Sequence, residues 1–254
     1  MQNYCLVDLN GNDRHGYVIG TRLPKDAPAF SAYLDVGFNR QDKGWQDQTP
    51  HVHTASEEFF AVVNGRIDLS INDEIVPVEA GHLVGVRRGV PHQVVAVTTP
   101  VESFLIRVPG GGQDKILAQT KANSDFAHAG LMQVDLQSNY TDYPLGACLP
   151  CGHANYSTFI DFTCVWEVDP NLEWHGEIAH YHQKREEYYI VLKGTLEFEI
   201  DGNRLNVGQW QALGVKQGAL HRVLGGVGPV NILFVRVPGG RGDKALAEDQ
   251  TGPK

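Results

Sequence analysis

The chain has 254 residues, enough for one large domain or two modest ones with cores of their own. Its 21 basic and 30 acidic residues give a net charge of −9, which argues against nucleic acid or an anionic membrane surface as partner, since both call for clustered Lys and Arg. No stretch approaches the roughly 18 apolar residues of a membrane-spanning helix. The N-terminal MQNYCLVDLNGNDRHG lacks a basic segment ahead of an apolar core, so a soluble, cytoplasmic protein is expected.

With 28 Gly and 13 Pro, many turns are implied, as in an all-β protein. In chain order the first segments that recur later are VDLNGN (Val7–Asn12) and FSAYLD (Phe30–Asp35). Next come Trp45 and the segment HVHTASEEFFAVVNG (His51–Gly65). From Glu57 to Asp73 the pattern reads strand, turn at Asn64–Gly65, strand, turn at Asn72–Asp73, because Asn and Gly supply the positive φ such turns require. PHQVVAVTTPVESFLIRV gives two more strands, broken near Thr98–Pro100. RVPGGGQDK (Arg107–Lys115) then leads into a short helix expected at DKILAQTKA.

All of this happens twice. VDLQSN (Val134–Asn139), YSTFID (Tyr156–Asp161), Trp174, HYHQKREEYYIVLKG (His180–Gly194), His221 and RVPGGRGDK (Arg236–Lys244) repeat the series, at a constant offset of 129 from the tryptophan onward. Solenoid and propeller repeats run only about 20–50 residues. The chain is therefore read as two copies of one small β domain, residues 1–125 and 126–254, divided near KANSDFAHAG (Lys121–Gly130). Many short strands at this spacing mean a sandwich or small barrel.

The pairs RVPGG also invite an anion-binding reading of Arg107 and Arg236, but without GxGxxG or a βαβ pattern a strand ending in Pro-Gly-Gly is the simpler account. Four cysteines, Cys5, Cys148, Cys151 and Cys164, include the pair in CLPC. It lies among Pro and Gly with no second pair, so buried or loop thiols are expected rather than a redox or zinc motif.

His51 and His53 are two apart, so on a strand their imidazoles share a face. Glu58 heads the next strand, and His92 opens a later one. The second copy gives His180, His182, Glu187 and His221 at the same intervals. Three neutral imidazoles and a carboxylate suit a divalent transition metal, Fe, Mn, Ni or Cu, one per copy, with about two octahedral positions left open. Tetrahedral zinc is a further option, but it would have no open position if all four groups bound. By parity the neighbouring Glu57 and Glu186 turn to the opposite face, toward solvent. His15, His82, His128, His153 and His175 have no repeat partners and are read as surface or loop residues.

The spacing HxH, four residues, Glu, six residues, Gly, then Gly-x-x-His in GVPH and GALH resembles the two signature motifs of the cupin superfamily. Because it covers nearly the whole chain twice, the protein resembles a two-domain cupin, or bicupin. Two tandem double-stranded β-helix barrels are implied, each enclosing a metal near its wider mouth. Arg87 and Lys216 stand where the family usually has proline, and Ala96 and Leu224 where it usually has Asn.

Stepping by two from the ligands places Phe60, Val62 and Val94 on the metal face of the first copy, and Tyr189, Val191 and Val223 on that of the second. Trp45 and Trp174 share the histidines' parity and are expected to wall the mouths. The mostly apolar surroundings suit a small organic, aromatic or enol-type substrate. Glu58 and Glu187 are the candidate catalytic carboxylates, and Tyr189 is the one obvious proton donor, or else a core tyrosine with a satisfied hydroxyl.

The ligand spacing is similar to that of quercetin-type dioxygenases, which implies a metal-dependent dioxygenase. The alternative is non-oxidative, manganese-dependent chemistry of the decarboxylase or aminohydrolase kind, which calls for an inward arginine or a mobile glutamate. A non-catalytic small-ligand binding cupin is the third reading. Exposed sheet edges also allow a homodimer.

Overall fold

The computed structural model describes residues 3–10, 14–42, 49–118 and 131–247. In chain order the elements are β1 (Tyr4–Asp8), β2 (Arg14–Gly20), β3 (Asp35–Gln41), β4 (His51–His53), β5 (Glu57–Ile71), β6 (Glu74–Glu79), β7 (His82–Val86), β8 (His92–Val108), β9 (Lys115–Leu117) and β10 (Leu131–Asp135). The remainder are β11 (Leu145–Gly146), β12 (Asp161–Val168), α1 (Pro170–Glu173), β13 (His180–His182), β14 (Glu186–Ile200), β15 (Asn203–Gly208), β16 (Gln211–Val215), β17 (His221–Val237) and β18 (Lys244–Leu246). The architecture is all-β, and among the described residues no helix is long and apolar enough to cross a membrane.

The chain divides into two compact units. One comprises Gly11–Asp135 with Gly152–Tyr156, and the other Met1–Asn10, Leu136–Cys151 and Ser157–Lys254. The expected boundary between residues 125 and 126 lies outside the described residues.

The first unit is a nine-stranded sheet in the order β10-β7-β5-β8-β3-β2, with β4 on β8 and β9, and β6 on β5. The second repeats the order as β1-β16-β14-β17-β12-β11, with β13 on β17 and β18, and β15 on β14. Strand β1 thus belongs with the later part of the chain, in register Tyr4↔Val215, and β10 with the earlier part, in register Leu131↔Val86. This explains why VDLNGN and VDLQSN recur: β1 and Leu131–Asp135 close equivalent edges of the two sheets.

The tight turns form where expected. Asn72 and Asp73 (φ 49° and 65°) join β5 to β6, and Asp201 and Gly202 (φ 48° and 78°) join β14 to β15, as two-residue hairpins need. The turn expected at Asn64–Gly65 is not there: β5 runs unbroken from Glu57 to Ile71. Gly65 absorbs a bend instead, at φ 75°, where a Cβ would sit 2.4 Å from the Pro100 carbonyl oxygen and the register against β8 shifts on both sides. Gly194 does the same in β14, with its Cβ position 2.7 Å from the Pro229 oxygen. The break expected near Thr98–Pro100 is likewise absent, since β8 is one strand of 17 residues.

The helix expected after RVPGG is a correction as well. Lys115–Leu117 and Lys244–Leu246 are three-residue strands pairing with β4 and β13, His53 opposite Lys115 and His182 opposite Lys244. Long-range pairing overrides the weak local preference there. The one α-helix among the described residues is a four-residue turn at α1, started by Asp169, whose side chain accepts from the Asn171 amide, with Pro170 in the first turn.

Each unit has its own interior. Phe60, Val62, Ile67, Leu69, Val84 and Val94 pack in the first; Tyr189, Val191, Phe198, Leu213, Val223 and Ile232 pack in the second. The residues placed on the metal faces by alternation therefore do lie inside. At about 25 cal/mol per Å² of apolar area this burial dominates the stabilisation of each unit.

Candidate metal centres

In the first unit, β4 supplies His51 and His53, β5 opens with Glu57–Glu58, and β8 opens with His92. Pairing of β4 with β8 sets His51 directly opposite His92. The second unit repeats this with His180 opposite His221 and Glu187 near the start of β14. All eight side chains are buried, and in each group of four the donor atoms lie within 4.8 Å of one another, so each group can hold a metal ion.

Hydrogen bonds fix the ring orientation. Nδ1 of His51 and His92 donates to the carbonyls of Thr49 and Val90, both at 2.9 Å. His180 and His221 donate to Ile178 (3.2 Å) and Ala219 (2.9 Å), and His53 Nδ1 donates to Asp114 Oδ1 (3.2 Å). Carbonyl and carboxylate oxygens only accept here, so each of these rings carries a proton on Nδ1 and, in its neutral form, presents the Nε2 lone pair inward. His182 Nδ1 is the exception, buried without a hydrogen bond and 3.7 Å from Asp243 Oδ2.

The carboxylates face those lone pairs. Glu58 lies 3.0 Å from His53 Nε2 and 3.2 Å from His92 Nε2; Glu187 lies 3.0 Å from both His182 Nε2 and His221 Nε2. His53 Nε2 is buried and has no hydrogen bond in spite of that proximity. Buried acceptors converging on one point repel each other unless a cation or protons lie among them. The donor set and this orphaned nitrogen therefore fit a divalent transition metal.

Electrostatics agree. Burial, then the neighbouring His92, pushes His51 down to about 4, and burial with His221 does the same to His180, so both rings are neutral and ligand-competent near pH 7. Burial opposes ionisation of Glu58 and Glu187, yet the closeness of His53 and His92, and of His182 and His221, holds both carboxylates well below the usual range.

Tyr189 donates its hydroxyl to Glu187 Oε2 at 3.0 Å while its ring packs on Phe198 and Phe234. Burial and the Glu187 charge push its pKa well above the usual tyrosine value, so it remains a proton-bearing donor. Its counterpart Phe60 lacks the hydroxyl.

Glu57 and Glu186 are indeed outside the two ligand groups, but they are not solvated. Both are buried, with Arg87 Nη1 3.6 Å from Glu57 and Lys216 Nζ 3.3 Å from Glu186. The two basic residues that replace the family's proline are thus the counterions of these carboxylates. Parity gave the face; it could not say that the outer face is covered too.

In the second unit a cavity of ≈ 230 Å³ reaches the centre, lined by His180, His182, Glu187 and Tyr189 together with Tyr143, Trp174, Glu177, Phe234, Arg236 and Lys244. Trp174 walls it as expected; Trp45 lies outside the described residues. His82, His153 and His175 are exposed, while the side chain of His15 and all of His128 lie outside the described residues. The four cysteines are free, two buried, and none joins a metal group among the described residues.

The arginines of the two RVPGG segments do more than end a strand. Register places Arg107 opposite Glu58 and Arg236 opposite Glu187, and directly opposed residues share a face, so both side chains point inward. Each pairs with a fully buried aspartate: Arg107 Nη2 with Asp35 at 2.6 Å, Arg236 Nη2 with Asp161 at 2.8 Å. The signal was present, since Arg107, Arg236, Asp35 and Asp161 all lie in the repeated segments.

The cupin domain profile matches residues 40–106 and again 165–236, more than half of the chain. The chain is a two-domain cupin. Solved structures similar to this cupin include protein Ylba from E. coli (12% identity, 92% of this chain and 90% of that one, TM-score 0.58). Pirin YhhW from E. coli, in complex with nickel(II), is 13% identical over 92% of this chain and 99% of that one, at TM-score 0.56. A mutant salicylate 1,2-dioxygenase from Pseudoaminobacter salicylatoxidans is 12% identical over 84% and 74%, at TM-score 0.55. These likenesses are of fold, not of reaction. No curated protein matches this cupin.

Proposed function

We propose that this cupin is a metal-dependent oxidoreductase, a dioxygenase acting on a small aromatic or enol-type substrate at the centre built from His180, His182, Glu187 and His221. The observation that carries the reading is the cavity over that centre, walled by Tyr143, Trp174 and Phe234. At ≈ 230 Å³ it is smaller than the roughly 300–1,000 Å³ of sites for drug-sized ligands, which suits a single small ring or enol. One divalent transition metal per barrel would be held by these four residues and by His51, His53, Glu58 and His92; with positions left open, it would supply redox and Lewis-acid chemistry at the cavity floor.

The chain's own groups have separable tasks. Glu187, held ionised, is the proton acceptor for an enol or hydroxyl, and the Tyr189 hydroxyl fixes its Oε2 and keeps a proton beside it. The buried ring of Tyr189 and the partly buried ring of Phe234 exclude water along one wall. Glu58 has the same ligand geometry but Phe60 in place of the tyrosine, so the first centre is the lesser catalyst in this proposal.

A non-oxidative reading has its own support, because Arg236, an inward arginine of the kind that reading calls for, lines the cavity. Oxygen uptake with a panel of flavonols, catechols and β-diketones decides between them. Carbon dioxide or ammonia release without oxygen would replace the first reading by the second.

A further inference from the structure

Arg236 has more hydrogen-bonding capacity than its ion pair uses. Its Nε and Nη2 donate to Asp161 Oδ2 at 3.2 and 2.8 Å, and Nη2 also reaches the Gly240 carbonyl (2.9 Å) and Cys148 Sγ (3.3 Å). Among the described residues Nη1 has no partner, although the side chain is only 11% exposed and lines the cavity. Beside it stands Tyr143, whose ring lies under the guanidinium carbon at 4.5 Å. The Tyr143 hydroxyl makes no hydrogen bond among the described residues either, and burial followed by nearby acidic groups raises its pKa, so it stays a donor. Arg236 lies directly across the β14–β17 ladder from Glu187. An unused pair of guanidinium N–H groups and an unused phenol therefore border the same small cavity as the metal ligands.

We propose that Arg236 Nη1 and the Tyr143 hydroxyl form a carboxylate anchor, so that the substrate of the second centre is a small organic acid. The two donors match the two oxygens of a carboxylate, and a charge-assisted hydrogen bond from a guanidinium whose side chain is only 11% exposed is worth more than a neutral one. The acid's other end then faces His180, His182 and Glu187. Asp161 holds the guanidinium in place, so little side-chain entropy is lost on binding. Lys244 is the other cation on the cavity lining, but its side chain is half exposed and near Glu177, so solvent weakens its pull on a ligand. The inference rests on the second centre being the reaction site and adds the substrate's charge and its anchor.

Binding to the metal-stripped full-length chain separates this anchor from coordination by a metal. Tryptophan fluorescence is the readout, since Trp174 lines the cavity. Benzoate is expected to bind at least about tenfold more tightly than isosteric benzamide, and inorganic phosphate no better than benzamide. Arg236→Gln should erase the benzoate preference, Tyr143→Phe should reduce it roughly three- to tenfold, and Lys244→Gln should leave it intact.

Equal binding of benzoate and benzamide to the parent protein would overturn the proposal. So would phosphate binding as tightly as benzoate, a preference surviving in folded Arg236→Gln, or one lost in Lys244→Gln. Should Arg236→Gln fail to fold, the parent preference with the Tyr143→Phe and Lys244→Gln pair still decides. Benzoate preference without oxygen uptake on any substrate refutes the dioxygenase reading alone; turnover of neutral substrates without that preference refutes the anchor alone.

Discussion

The buried Asp161–Arg236 pair offers the sharpest test of the energetics. Asp161 is fully buried, and its Oδ2 accepts from Arg236 Nε, Arg236 Nη2 and the Gly240 amide (2.7 Å), while Oδ1 accepts from the Cys148 amide (2.9 Å). Asp161→Asn keeps the volume but removes the charge and presents an N–H₂ where a second acceptor is needed. Breaking a buried pair from one side costs about 3–5 kcal/mol, because the remaining charge is left without compensation. Arg236 borders a cavity that water can enter, which places the expected loss near the lower bound, about 3 kcal/mol. For a unit of this size, each kcal/mol lowers Tm by roughly 2–4 °C, so the expected fall is about 6–12 °C.

Calorimetry resolves the transition of this unit, and urea unfolding followed by circular dichroism supplies an independent value. Combining Asp161→Asn with Arg236→Met removes the stranded charge, and should recover a good part of the loss. A single-variant loss under about 1 kcal/mol, or a double variant as unstable as the sum of its parts, would show that the pair is solvated and uncoupled.

Glu187→Ala is expected to lower turnover at least tenfold more than Glu58→Ala, and equal losses or the reverse order would move the reaction to the first centre. Tyr189→Phe removes the donor to Glu187 Oε2 at a stability cost of about 1 kcal/mol, with most of its effect on kcat and little on metal content; unchanged kcat would leave Tyr189 a packing residue. Although burial opposes it, hydrogen bonds from Thr21, Arg107 and the Gly111 amide hold Asp35 below the ordinary carboxylate pKa, so its contribution is full above an unfolded value of about 3.9 and is lost as pH falls through the folded value. The stability gap between the parent and Asp35→Asn should therefore be flat from pH 7 to about 5 and shrink below about 4; a gap that shrank on raising the pH would refute the assignment.

The two clusters that could hold a metal were legible in the sequence because duplication filters noise: a strand histidine is usually structural, but eight positions at matching intervals are not coincidental. Strand alternation then placed Phe60, Val62, Tyr189 and Val223 in the interiors where they are found. What failed has a common physical origin in pairing across long chain separations. KIL and KAL carry no local strand signal and become strands only because β4 and β13 offer an edge. Thr98–Pro100 reads as a break, yet β8 runs through it. Glu57 and Glu186 were turned to the correct face, but whether that face is covered depends on the whole fold. The inward arginines could have been found, since a residue opposite the ligand glutamate shares its face, but that requires the register of β5 with β8 and of β14 with β17.

Divergence between the copies bears directly on which centre the proposed reaction would use. Arg22 and Cys148 occupy equivalent positions: their amides bond Asp35 Oδ1 and Asp161 Oδ1 in the same way, at 3.2 and 2.9 Å. In the first unit Arg22 extends over the Tyr17 ring (5.5 Å) and bonds the Gly112 carbonyl (3.2 Å). A Cβ at Gly112 would lie 1.9 Å from its Nη2, so that residue must stay small while the arginine is there. In the second unit the short Cys148 vacates that space, and the equivalent of Gly112 is Arg241, which points outward to Asp142 at 2.8 Å. An arginine has in effect moved from the inside of one loop to the outside of its neighbour. The result is that two guanidinium groups crowd Tyr17, at 5.5 and 5.9 Å, whereas Arg236 alone lies over Tyr143 at 4.5 Å. Arg107 is only 2% exposed, while Arg236 lines the cavity over the second group of histidines and glutamate. Arg107 also keeps an unpartnered donor, its buried Nε, but its side chain is 3% exposed, whereas that of Arg236 is 11% exposed and lines the cavity.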